Sequence, residues 1–210
     1  MRLLVMAAAL AIAACAGKPQ PPDWQVSARG ALDRYERAFL TGNARAADQE
    51  FAIARQQLAA TGNATVVARA ELTRCALQVA SLAFEACAGF EALRADAAAP
   101  ERAYADYLAG AAVAPDLLPP QHRAVVTGGE AALAKVADPL ARLVAAGVLV
   151  RANRASPQVL ATAADSASQQ GWRRPLLAWL GAQLRLAEQR GATDEAQALR
   201  RRIELAGGQR

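Results

Sequence analysis

The chain has 210 residues, a net charge of +5 at neutral pH, and a composition that is 54% hydrophobic, 20% charged and only 5% aromatic. Its 57 alanines favour helix, and the shortage of aromatic and β-branched residues counts against an all-β sandwich or barrel. The mean hydropathy of +0.07 argues against a disordered chain, and no internal run reaches the ~20 apolar residues of a membrane-spanning helix.

The first element is a leader. Met1-Arg2 is a short basic start, Leu3 to Ala14 is apolar, and the run ends Ala11-Ile12-Ala13-Ala14-Cys15. At that length it fits a secretory signal peptide and is too short to span a bilayer. An aliphatic residue, two small residues and a cysteine in this order resemble the lipobox of bacterial lipoproteins. Ile12 fills the aliphatic position, Ala13 and Ala14 the small ones, and Cys15 the lipidated one. The resemblance implies cleavage after residue 14, with diacylglycerol thioether-linked to Cys15 and the chain held in the envelope by its acyl chains. Ala16 stands where enterobacterial lipoproteins carry an aspartate for inner-membrane retention, which implies the periplasmic face of the outer membrane. The alternatives are an ordinary cleavage at Ala11-Ile12-Ala13 and a buried first helix. Residues 15–24 then read as a tether, since Pro19, Pro21 and Pro22 oppose helix and favour an extended segment.

A helical domain is expected over 25–207. Leu32, Tyr35 and Phe39 form one apolar stripe; Ala47, Phe51, Ala54 and Leu58 form the next. Thr41-Gly42-Asn43 and Thr61-Gly62-Asn63 punctuate these stripes, each with a glycine where a helix end favours a left-handed residue. Gly42, Ala47, Phe51 and Ala54 resemble a tetratricopeptide repeat, in which small residues let two helices approach and a large one fills the seam. Ala31, Arg34-Tyr35 and Ala59 depart from that pattern. Leu180, Gly191, Ala196 and Ile203 follow a similar frame, with Arg200 in place of the large apolar residue.

Between these pieces the spacing predicts a helix over Val66–Leu82 and a short one over Pro100–Leu108 with Tyr104, Tyr107 and Leu108 inward. A break follows at Leu117-Leu118-Pro119-Pro120, then a turn at Gly128-Gly129 and helix over Glu130–Asn153 that Pro139 can restart. Ser156-Pro157 marks an N-cap, Gly171 a stop, and Pro175–Arg190 and Thr193–Ala206 a last pair. The expectation is an all-α fold of about nine helices in stacked antiparallel hairpins, either a tetratricopeptide-like solenoid or an irregular bundle. With Cys15 lipidated, Cys75 and Cys87 remain as an even pair in an oxidising compartment. On one unbroken helix their Cα atoms would lie ~18 Å apart, so a disulfide requires the helix to end near Ser81–Phe84. Two buried free thiols are the alternative.

Reactive constellations are scarce. The nucleophile-elbow, zinc-protease, dinucleotide and P-loop patterns are missing from the sequence, and no metal or cofactor site is expected. His122 stands alone after a Pro-Pro turn and is expected at the surface or half-buried. Glu85 with Glu91, or Asp96 with Glu101, could serve as a carboxylate pair for glycoside hydrolysis, although such spacings arise freely in helices. Arg173-Arg174 and Arg200-Arg201-Arg202 read as solvated helix faces, without the interleaved aromatics of a nucleic-acid site. Trp172 and Trp179 read as packing residues, and Trp24 as packing or membrane-interfacial. These features favour a non-catalytic scaffold or adaptor that binds an envelope protein or peptide, with the membrane engaged through the lipid. A peptidoglycan-acting enzyme or accessory using helix-end carboxylates, and a purely structural lipoprotein, are the alternatives.

Overall fold

The structure, a computed structural model, describes residues 20–208. Cys15, Ile12, Ala13 and Ala14 lie outside the described residues. Among those described, the chain is all-α, with ten α-helices and no strand.

α1 (Asp23–Thr41) begins two residues before the helical domain was expected to start, inside the segment read as tether. Pro22 is extended at its N-cap, and Asp23 places a carboxylate in the first turn, where the helix dipole favours it. Gly42, at φ +87°, closes α1 in the left-handed conformation that a side chain rarely adopts. Asn43 at once caps α2 (Ala44–Ala59), its Oδ1 accepting from the Ala46 amide at 3.2 Å. Asn63 repeats the device for α3 (Ala64–Ala80), accepting from the Thr65 amide at 3.0 Å. The two Thr-Gly-Asn triplets therefore both stop one helix and start the next. Ala47, Phe51, Ala54 and Leu58 are the buried face of α2, and Phe51 meets the Tyr35 ring at a centroid distance of 5.0 Å.

α3 is the hub. It is apolar on nearly all sides and packs against α1, α2, α5 (Ala99–Leu108) and α7 (Pro139–Arg151). Gly147 of α7 lies so close to the Val79 carbonyl that a Cβ there would overlap it. Trp179, wholly buried, donates its indole N–H to the carbonyl of Ala80 at 2.9 Å, fixing α9 (Arg173–Gln189) to the end of α3. α3 stops at Ala80, and Leu82 takes a positive φ of 55°, so the chain turns back. Cys75 and Cys87 thereby stand at disulfide distance, with Cα atoms 5.8 Å apart.

The middle of the chain is broken into short pieces. The four-residue α4 (Ala88–Glu91) and α5 lead to a 3-10 turn at Pro115–Leu117 and then to α6 (Pro120–Gly128). A 3-10 segment, Gly129–Lys135, replaces the first part of the helix expected from Glu130. Pro139 starts α7 afresh, and Asp138 caps it by accepting from the Ala141 amide at 2.6 Å. The apolar run Val144–Val150 is helical and lies within α7.

α8 (Pro157–Gln169), α9 and α10 (Thr193–Gly207) complete the chain, each packed on the next. Ser156 occupies the N-cap of α8 but makes no capping bond. The Val159 amide bonds the Ser156 carbonyl at 3.1 Å, and the buried Oγ has no partner among the described residues. α9 also touches α1, where Arg174 donates to the Phe39 carbonyl at 2.9 Å and lies 4.2 Å from the Phe39 ring centroid. Arg174 is thus a clasp between helices and not part of a solvated face: its guanidinium finds both an acceptor and a π-face on α1.

Candidate ligand cleft

Three helices that begin at prolines surround one open cleft. Pro100 near the start of α5, Pro119-Pro120 at the start of α6 and Asp138 at the cap of α7 all line it, and α3 forms its back. A proline cannot extend a helix backward, because it lacks the N–H and its ring clashes with the preceding turn. α5 and α7 still pack against α3, and between their first turns, the start of α6 and α3 lies a cleft of about 560 Å³. That lies within the ~300–1,000 Å³ of small-ligand sites. Its walls are mainly apolar, from Leu72, Ala76 and Leu77 of α3, Leu118, and Leu140 and Val144 of α7.

The polar groups in this cleft are few and specific. Glu101 is 6% exposed. Its Oε1 accepts from Arg69 Nε at 2.6 Å, and its Oε2 is buried with no hydrogen-bond partner. His122 lines the same cleft and is 2% exposed, so it is neither at the surface nor half-buried, the two positions expected of it. It follows the Pro119-Pro120 start of α6 and points inward, where the rings of Tyr104 and Tyr107 meet it at centroid distances of 5.5 and 5.1 Å. Each tyrosine hydroxyl lies 3.4 Å from a different ring nitrogen. A neutral imidazole suits this arrangement, since it donates through one nitrogen and accepts through the other.

Burial lowers the His122 pKa to about 4, against a weaker opposing pull from Asp138. Burial likewise raises both tyrosines above their ordinary range, and the two hydroxyls stay protonated. A histidine with so low a pKa is a weak proton acceptor at neutral pH. The cluster can therefore orient a ligand by hydrogen bonding, with little capacity to move its protons.

The carboxylate pairs suggested by sequence do not assemble. Glu91 is bound by Arg94 at 2.7 Å, which holds its carboxyl below the usual range, while Glu85 faces Gln78. Asp96 is exposed, whereas Glu101 is buried against Arg69. Trp24 and Trp172 are half-buried on the core around α1 and α2.

A second buried acid escaped the sequence reading. Glu71, 2% exposed, lies between Arg55 and Arg74, each 2.8 Å away. Arg74 approaches Oε2 off the hydrogen-bonding direction, so that contact is an ion pair without a directed bond. Gly89 packs directly over this carboxylate, where a Cβ would overlap it. The (i,i+3) spacing of Glu71 and Arg74 was the only sequence signal available.

Among the described residues, no helix is long and apolar enough to cross a membrane, and no group of three or more His, Cys, Asp or Glu converges as a metal would require. No family model, no curated protein and no solved structure matches the chain.

Proposed function

We propose that this chain is a lipid-anchored protein of the bacterial envelope, held through Cys15 at the periplasmic face of the outer membrane. It binds a segment of a partner protein without catalysing a reaction on it. The cleft between α3, α5, α6 and α7 carries this reading: an apolar concavity with few polar groups suits recognition. The tetratricopeptide-like spacing of α1 and α2 and the lipobox-like sequence support the plan of an anchored helical adaptor, by analogy of architecture.

The test is photo-crosslinking in cells that express the full chain. A crosslinker at Gln121, on the cleft, is expected to capture one defined protein that the same probe at Gln197, exposed on α10, does not. Identical or absent products from the two positions would refute cleft binding. Cys15→Ser is expected to release the protein from the membrane fraction, and retention would refute the anchor.

A further inference from the structure

Glu101 has more hydrogen-bonding capacity than the chain uses. A buried carboxylate in a native fold normally has both oxygens satisfied, because each unpaired oxygen carries its full desolvation cost. Arg69 reaches only Oε1, through Nε alone, although a guanidinium can grip both oxygens of a carboxylate as a fork. Oε2 has no partner in the described chain.

The charges around the cleft point the same way. Asp116, Glu101 and Asp138 line it against Arg69 and Arg123, which leaves it electronegative in a chain whose net charge is +5. Both cations are already engaged. Arg69 is held by Glu101, and Arg123 donates to the carbonyls of Leu118 and Asp116 at 2.8 and 3.2 Å. His122 is uncharged at neutral pH and supplies no positive charge. Asp138 also acts on Glu36, whose carboxyl is held above its usual range first by burial and then by the Asp138 charge. A cation placed here would offset the excess of acidic over basic residues in the cleft lining.

We propose that the cleft takes a lysine side chain of the partner, its ammonium on Glu101 Oε2 and its apolar neighbours over Leu72, Leu77, Leu118 and Val144. This rests on the reading of the cleft as a protein-binding site. An ammonium is a compact charge with three donors on a slim stem, whereas a guanidinium needs the width of its planar fork. The four methylenes of lysine match the apolar walls, and only the head reaches the buried acid. Arg69 keeps Oε1 through Nε, and small movements of its 65% exposed side chain are to uncover the buried Oε2.

The experiment titrates the detergent-solubilised full chain with Ac-Leu-Lys-Leu-NH2 and with the same peptide carrying norleucine, which has the stem without the charge. The lysine peptide is expected to bind about tenfold more tightly, the scale of one hydrogen bond to a charged group. Glu101→Gln is expected to abolish that preference. Equal affinities for the two peptides on the unmutated chain would overturn the lysine assignment and leave cleft binding standing. The unmutated comparison does not depend on how the variant folds. If neither peptide binds, the lysine assignment falls, and crosslinking at Gln121 separately decides whether the cleft binds a partner at all.

Discussion

In the terminal hairpins the helices are long: α1 and α2 have 19 and 16 residues, α9 and α10 have 17 and 15. Between α3 and α7, by contrast, α4, α5 and α6 have 4, 10 and 9 residues. Long helices can lay continuous apolar stripes against each other, as Tyr35, Phe39 and Phe51 do, and they leave little space. The short helices lay down less continuous surface, and where the first turns of α5 and α6 meet α3 and α7 the cleft opens. The regular regions hold the fold together, and the irregular region carries the candidate site. Loops and element ends on a rigid scaffold are where binding groups commonly sit.

The sharpest way to break this contrast is to attack the regular part. Phe51 is buried at the seam of α1 and α2, with Arg74 4.7 Å above its ring. Phe51→Ala is expected to cost about 3–5 kcal/mol of unfolding free energy, since a helix pair held at both ends collapses poorly around the void. Urea denaturation monitored by circular dichroism measures it. A loss below about 1 kcal/mol would mean that the hairpin is not the rigid element it is taken to be here.

The disulfide-distance pair tests the irregular region. A bond between Cys75 and Cys87 would close a loop across a separation of 12 residues. It would constrain the unfolded chain by about 3 kcal/mol in the chain-entropy account. The Cys75→Ser, Cys87→Ser double variant is expected to lose that amount, with amide exchange rising first over residues 81–98 and last in α1 and α2. Unchanged exchange in that loop would remove the cysteines from the devices that hold the middle in place.

What could be read from the sequence follows the same division. The spacing of Tyr35, Phe39, Ala47 and Phe51 and the two Thr-Gly-Asn triplets marked the end of α1 and both ends of α2, because both signals are local. The cleft was not legible, because Leu72, Glu101, Leu118 and Val144 are far apart in sequence and meet only through α3. Prolines 119 and 120 were read as a break, but the direction in which α6 leaves that break decides whether His122 faces solvent or core. That direction is set by tertiary contacts with Tyr104 and Tyr107. Arg174 was misread for the same reason: its acceptor is 135 positions away.

The buried histidine has a signature that the regular regions lack. The unfolded chain takes up a proton on His122 near pH 6.5, whereas in the fold its pKa is about 4. The unfolded state therefore binds more protons between these values. The stabilisation is fully present above about pH 6.5 and is lost as the pH falls toward 4. Between pH 7 and pH 5 the loss from this one group is about 2 kcal/mol. His122→Phe, which keeps the ring and removes the titration, is expected to flatten the stability profile over that interval. A parallel profile for variant and parent would show that the imidazole is open to solvent.

The smallest effect is expected where the two terminal hairpins look most alike. In sequence, Arg200 occupies the frame position that Phe51 holds in the first hairpin. In the structure the two are not equivalent. α10 buries Ala196 and Leu199, and Arg200 faces outward to an ion pair with Glu188. The seam has moved by one residue around the helix, so the frame at 180–203 does not describe the packing there. Arg200→Phe should therefore shift stability by no more than about 0.5 kcal/mol, the scale of a surface substitution and the loss of an exposed pair. If the phenylalanine instead stabilised the protein by the 1–2 kcal/mol of a filled seam, position 200 would face α9 and the repeat-like frame would hold at both ends.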